Sequence, residues 1–328
     1  MPLIHMVRAL CWVHLAVALS AWLLPRPAQA AQPSCSATIT PIAYGSVDVL
    51  LNQPVDTTAT LQITCTGGNN DTARVCANLG RMTPTAGASS RRMTDSGGNY
   101  LNHELYSDPA RTQVWGSWAG AGYASGGVEI DIPLGPTGTA TATRTIYGRV
   151  LAGQQTAPPG SYMQSLQGAE HSFSADKVNG GVGNCPFGPY TQYANTPVSA
   201  SVPTSCYVTA ATLNFGSVGL IGTNVDAPST IGVQCSNSLP YTVALDGGQT
   251  GATDPTRRKM SKGSEQVTYG LYRDATRSLP WGSTAGTDTV SGIGDTTVQG
   301  LAVYGRISTQ TTPSPGLYAD TVVVMVSY

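Results

Sequence analysis

Charge is the scarcest ingredient of this sequence. Only 11% of its 328 residues are Asp, Glu, Lys or Arg, against roughly 25% in ordinary globular chains. The net charge is −1, and no basic cluster exceeds Arg91-Arg92 or Arg257-Arg258-Lys259. Nucleic acid and anionic membranes are therefore poor partner candidates. Histidine is scarce too: past residue 30 only His103 and His171 remain, and no C-x-x-C pair is present to complete a metal site. Neither G-x-S-x-G nor H-E-x-x-H occurs, so neither histidine has a recognisable nucleophile or zinc motif to serve. Glu129 and Asp131 share one face of a strand-like run, a spacing that glycosidase chemistry can use and that a solvated strand face shows equally. No catalytic residue, metal or cofactor is expected.

Long apolar runs are missing everywhere except at the start. Arg8, the run Ala9–Leu24 and then Ala28-Gln29-Ala30 have the order of a secretory signal peptide, with cleavage expected after Ala30 or Ala31. The roughly 300 residues that follow suit two domains. Cys11 leaves with the leader, and Cys35, Cys65, Cys76, Cys185, Cys206 and Cys235 remain. An even set in an exported chain reads as three disulfides.

An internal repeat organises the rest. Cys35 lies ten residues before Gly45-Ser46-Val47 and Cys206 ten before Gly216-Ser217-Val218, with Tyr44 and Phe215 preceding the glycines. LYSDPARTQVWG (Leu105–Gly116) returns as LYRDATRSLPWG (Leu271–Gly282), Tyr147-Gly148-Arg149 as Tyr304-Gly305-Arg306, and Pro159-Gly160-Ser161-Tyr162 as Pro315-Gly316-Leu317-Tyr318. The repeat pairs Cys35 with Cys65 and Cys206 with Cys235, and elimination leaves Cys76 with Cys185. Runs such as TATLQITC, STIGVQC and GVEIDIPL alternate apolar and polar residues, as half-buried strands do. The expected fold is all-β, two immunoglobulin-like sandwich domains at 31–203 and 204–328, divided near Val202–Ser205. Trp115, Trp281, Tyr147 and Tyr304 are expected in the cores or turns. Asp108 with Arg111, and Asp274 with Arg277, are expected as local turn pairs.

The second copy stops at Tyr328, directly after YADTVVVMVSY. Val322–Val326 is apolar on both faces, which belongs inside a sheet, yet no partner strand follows it. The first copy is followed by about forty more residues, including PVSASV (Pro197–Val202). The second sandwich is thus expected to lack its final strand, leaving a groove along Tyr318, Val322, Val324, Val326 and Tyr328 that a strand from another chain would fill. After cleavage only Ala31–Ser34 would precede Cys35, too few for a donor strand of its own.

These landmarks resemble the spore coat protein U domain family: the cysteine spaced to aromatic-Gly-Ser-Val, L-Y-x-D…W-G, Y-G-R and P-G-x-Y-x-D-T-V. The resemblance covers nearly all of Cys206–Tyr328 and the landmarks of the first copy. It implies a two-domain tip adhesin of archaic chaperone–usher pili, held first by a periplasmic chaperone, passed through an outer-membrane usher and completed by the donor strand of the next pilin subunit at the cell surface. The alternative is a structural coat or matrix protein without a binding tip. The first copy's extra residues fall in Gly116–Gly127 and Gln167–Asn195, placed at the pole away from the linker together with Thr66–Ala73. Trp118, Tyr123, Val182, Phe187, Tyr190 and Tyr193 there are the candidates for contact with a host or abiotic surface.

Overall fold

The computed structural model describes residues 32–80, 90–118, 126–168, 171–178, 185, 192–193 and 195–328. The expected signal peptide lies outside them. The chain is all-β, with a single 3-10 turn, Val49–Leu51, among the described residues. Between residues 34 and 202 run β1 (Ser34–Ile39), β2 (Ile42–Ser46), β3 (Val55–Thr66), β4 (Thr72–Ala77), β5 (Arg91–Thr94), β6 (Tyr100–Tyr106), β7 (Val128–Pro133), β8 (Thr139–Val150), β9 (Gly160–Leu166), β10 (Ser172–Lys177), β11 (Gln192–Tyr193) and β12 (Thr196–Val202). They form an eight-stranded sheet, β1-β3-β8-β6-β5-β9-β12-β2, facing a four-stranded one, β11-β10-β4-β7.

The remaining strands are β13 (Cys206–Ala210), β14 (Val225–Cys235), β15 (Pro240–Leu245), β16 (Arg258–Lys262), β17 (Glu265–Tyr272), β18 (Val290–Ile293), β19 (Gln299–Ile307) and β20 (Val324–Ser327). Here the sheets are β13-β14-β19-β17-β16 and β18-β15-β20. Each half has its own apolar core, one drawn from Ile42 to Val202 and the other from Ile221 to Ile307. In β3 the alternation expected from TATLQITC buries Ala59, Leu61, Ile63 and Cys65 and turns Thr58, Thr60 and Gln62 outward. Each fully buried aliphatic side chain of this kind stabilises the fold by about 1.5–3 kcal/mol.

The repeated landmarks have repeated causes. Gly45 and Gly216 hold φ of 71° and 75°, a region a side chain disfavours. Gly148 lies against the Tyr44 ring and Gly305 against Leu213 and Phe215, close enough that a Cβ would strike them; this explains the glycine of Y-G-R. Trp115 and Trp281 are buried, each donating its indole N–H, to Ala77 O at 3.0 Å and to Val243 O at 3.1 Å. Tyr162 and Tyr318 donate their hydroxyls to the carbonyls four residues earlier, Pro158 and Ser314, at 2.7 and 2.8 Å, the tyrosine corner of immunoglobulin-like folds.

Each half also buries one arginine. Arg91 pairs with Glu104 and donates to the carbonyls of Leu79, Gly80 and Trp115. Arg258 donates to the carbonyls of Leu245, Asp246, Pro255 and Trp281 at 2.7–3.1 Å, and burial lowers its pKa. These guanidiniums satisfy carbonyls that turn away from the ladders, a necessity once such groups are shut off from water.

Three expectations are corrected. Arg111 and Arg277 close their turns on Asp108 and Asp274 through the backbone alone; their side chains reach Asp56 at 3.3 Å and Asp226 at 3.1 Å, across the sheet. Asp108 and Asp274 instead accept backbone N–H groups within their own turns. Tyr147 and Tyr304 lie half-buried outside the cores, beneath those same guanidiniums at 5.7 and 5.8 Å. Finally, Gln167–Asn195 is not wholly an insertion: it contains β10, which pairs with β4 as β20 pairs with β15.

The three disulfides are Cys35–Cys65, Cys76–Cys185 and Cys206–Cys235. Cys76 is the fifth residue of β4 and pairs across the strand with Glu129, whose carboxylate accepts Cys185 N–H at 2.8 Å. The bridge therefore ties the segment after β10 to the C-terminal end of β4, not to its start. It closes 109 residues, and loops near that length give up to about 4.7 kcal/mol by the chain-entropy argument. Cys76→Ser with Cys185→Ser should lower the unfolding temperature of the first half and leave that of the second in place, as read by calorimetry.

His103 and His171, the only histidines past residue 30, are both fully buried. His103 Nδ1 meets Tyr44 Oη at 3.1 Å and its Nε2 meets Gln164 Oε1 at 2.8 Å. Burial lowers His103 to about 3 and His171 to about 4, and an unfolded histidine titrates near 6.5. Below that pH the unfolded chain binds protons the folded one refuses, so stability falls as pH falls. The first half should lose unfolding temperature between about pH 6.5 and 4. The second half, which has no histidine, should lack this dependence, and His103→Gln should flatten the first half's slope.

Candidate functional site

In the first half β12 closes the sandwich. It lies antiparallel to β9 over all seven residues, from Thr196 opposite Leu166 to Val202 opposite Gly160. Its other edge pairs parallel with β2, Val198 opposite Ile42. Thr196, Val198, Ala200 and Val202 point into the core and are buried, whereas Pro197 and Ser201 are exposed. With this strand in place Ile42, Tyr44, Val47, Tyr162 and Leu166 are at most 6% exposed.

The second half repeats both walls of that slot. P-G-x-Y matches Gly316–Val322 to β9, and aromatic-Gly-Ser-Val matches Leu213–Val218 to the β2 segment. One edge of the wall is bonded, Ala319 and Ser261 exchanging both backbone hydrogen bonds. Among the described residues no strand pairs with the other edge. Between the walls lies a cleft of about 530 Å³, lined by Leu213, Phe215, Ile231, Leu271, Val303 and Val322 among others. Side chains whose counterparts are buried are half-buried or open here: Val218 is 37% exposed against 2% for Val47, and Leu213, Phe215, Tyr318 and Val322 are half-buried.

The wall is braced from outside. Lys262 Nζ donates to Ser314 Oγ at 2.8 Å and to Pro315 O at 2.7 Å, and lies 5.8 Å from the Tyr318 ring centre. Glu265 accepts Ser314 N–H at 3.0 Å and lies 3.3 Å from the Tyr318 hydroxyl oxygen. The Ser314 hydroxyl and amide, then the Lys262 charge, hold its carboxyl down at about 2. Tyr269 donates its hydroxyl to Asp320 at 2.7 Å, and burial and that carboxylate raise its pKa.

Of the groove residues read from sequence, Tyr318, Val322 and Val324 line the cleft. Val326 packs on the core behind it, paired with Val243, and Tyr328 is 59% exposed. Sequence reasoning missed the opposite wall, Leu213 and Phe215, although the aromatic-Gly-Ser-Val repeat contained the signal. Of the surface-contact candidates, Trp118 is half-buried against Gly126 and Gly127, its backbone N–H bonded to Asn78 Oδ1 at 2.8 Å. Tyr123, Val182, Phe187 and Tyr190 lie outside the described residues, and Tyr193 is placed only as backbone of β11. The expected common pole is corrected. Val128 pairs with Ala77 and Pro133 with Thr72. The Gly116–Gly127 segment therefore enters β7 at the end opposite the turn after Thr66. Glu129 and Asp131 are exposed on one face of β7, and Arg74 binds Asp131 bidentately, lowering its pKa; a carboxylate held ionised in this way is no general acid.

Comparisons with known proteins agree with this architecture. Over 154 residues the chain is 27% identical to Protein U of Myxococcus xanthus, covering 42% of this chain and 86% of that one. It also resembles, at 21% identity and a TM-score of 0.54, a chain in the crystal structure of the CsuC–CsuE chaperone–tip adhesion subunit pre-assembly complex from archaic chaperone–usher Csu pili of Acinetobacter baumannii. That likeness covers 90% of this chain and 100% of the other and concerns the fold. The Spore Coat Protein U domain is matched twice, over residues 24–168 and 192–325, and with both copies accounted for, the chain belongs to the Spore Coat Protein U domain family.

Proposed function

We propose that this chain is the tip adhesin of a chaperone–usher pilus, exported to the cell surface, where it attaches cells and supports biofilm. In this reading residues 31–203 form the adhesin domain and 204–328 the pilin domain. One observation carries it. The same slot occurs twice in one chain, filled by β12 in the first copy and open between Leu213–Phe215 and Tyr318–Val322 in the second. An unpaired strand edge beside an apolar cleft invites strand addition, with backbone bonds giving affinity and side-chain pockets giving selectivity. A periplasmic chaperone would cover the cleft first, the usher would pass the subunit outward, and the donor strand of the next subunit would replace the chaperone.

The tip position is supported by the likeness to the Csu tip subunit complex and by β1. That strand is committed to its own sheet over six residues, from Ser34 opposite Thr66 to Ile39 opposite Leu61. Contact with a host or abiotic surface is assigned to Trp118, Tyr123, Val182, Phe187, Tyr190 and Tyr193, apolar burial there giving about 25 cal/mol per Å² before ordering costs.

Two variants separate the parts. Leu213→Asp with Val324→Asp places charge in the cleft and should cut incorporation into surface fibres by about tenfold or more, measured by immunoblot of sheared pili. Changing Trp118, Phe187 and Tyr190 together to Ser should reduce adhesion severalfold with assembly intact. Unchanged adhesion would favour a structural coat or matrix role.

A further inference from the structure

The two slots differ at one polar position, and the difference bears on which strand can enter the second. Beneath β12 the first half holds a neutral relay. Tyr44 Oη meets His103, His103 meets Gln164 at 2.8 Å, and burial keeps the imidazole uncharged. Gln164 lies opposite Val198, a buried residue of β12. The second half keeps the geometry and changes the chemistry. Phe215 meets Tyr269 edge-to-face at 6.1 Å and 68°, as Tyr44 meets His103 at 5.6 Å and 69°. Tyr269 then donates to Asp320, which occupies the place of Gln164, two residues past the matched tyrosine.

Asp320 is the one charged side chain among the described residues that line the cleft. Its oxygens accept the Tyr269 hydroxyl at 2.7 Å and the N–H groups of Gln249 and Thr321, each at 2.8 Å. A carboxylate offers about four acceptor positions, so a strand laid over it meets one more acceptor and a charge losing water. An aliphatic residue there would strip water from the carboxylate and leave its fourth acceptor position unmet, whereas a hydroxyl, amide or ammonium would complete its shell.

We propose that Asp320 selects the incoming strand: the donor residue facing it must donate a hydrogen bond, while its neighbours two positions away on either side remain small or aliphatic. The inference rests on the strand-acceptor reading of the cleft. Its occupant is a strand antiparallel to Gly316–Val322, patterned like Thr196–Val202 but with Ser, Thr, Asn or Lys at the position of Val198. The rule also excludes β12 of a second copy, because Val198 would face Asp320, so one molecule's closing strand is a poor substitute for another's donor.

The test uses the mature chain and three fluorescent peptides copying Gln192–Val202: one unchanged, one carrying Val198→Thr and one Val198→Lys. By anisotropy the two substituted peptides should bind about tenfold tighter than the unchanged one, the cost of an unpaired buried acceptor. In Asp320→Gln, which copies the first half, the advantage should vanish. If the unchanged peptide binds as tightly as the others, or if the ranking persists in Asp320→Gln, the selection rule is wrong and the strand-acceptor reading stands. If none of the three binds the unsubstituted chain, both fall. The ranking on the unsubstituted chain decides alone should the variant fold poorly.

Discussion

A strand at the rim of a sheet leaves a row of N–H and C=O groups that must find partners, and a sandwich rim leaves apolar side chains uncovered as well. This chain meets the requirement in two ways with nearly the same set of parts. In the first half β12 satisfies both demands, bonding to β9 and β2 while Val198, Ala200 and Val202 complete the core. In the second half the matching walls stand apart. Val218 and Leu317 are exposed at 37% and 87%, apolar surface beside the cleft that calls for a partner.

A missing strand ordinarily lets the neighbouring segments collapse together. The walls here are held by groups that do not depend on the occupant. Arg258 gathers four carbonyls at the base of the half. Lys262 and Glu265 hold the Ser314–Pro315 turn, and the Tyr318 hydroxyl locks that turn to the wall. On the opposite side Gly305 allows Leu213 and Phe215 to lie directly on β19. Most of these bonds are exposed or half-exposed and individually weak. Their value lies in geometry: they hold the wall in place, which lowers the ordering cost of whatever enters.

Much of this was legible in the sequence because duplication supplied an internal control. The cysteine pairs, the buried tryptophans and the missing closing strand of the second half all followed from comparing one copy with the other. Reading failed where the copies diverge or where direction matters. β10 was hidden because SFSADK has little apolar content and is separated from β9, whereas its counterpart VMVS follows the wall without a break. Tyr147 and Tyr304 were misplaced because an aromatic on the outer face, covered by arginine, alternates just as an inward one does. The position of Gly116–Gly127 could not be read because it depends on which end of β7 pairs with Thr72, a register that local pattern leaves open.

The linker explains why one chain can hold a closed slot and an open one without confusing them. β12 ends at Val202 and β13 begins at Cys206, leaving Pro203, Thr204 and Ser205 between them. Three residues span at most about 11 Å, and Ser205 is already held by Ser236 at 3.0 Å. β12 would have to leave β9 along its whole length and turn back to reach the cleft of its own molecule. Within one chain the competition is thus settled by tether length. Between chains no tether applies, and any discrimination must come from what the walls of the cleft present to an approaching strand.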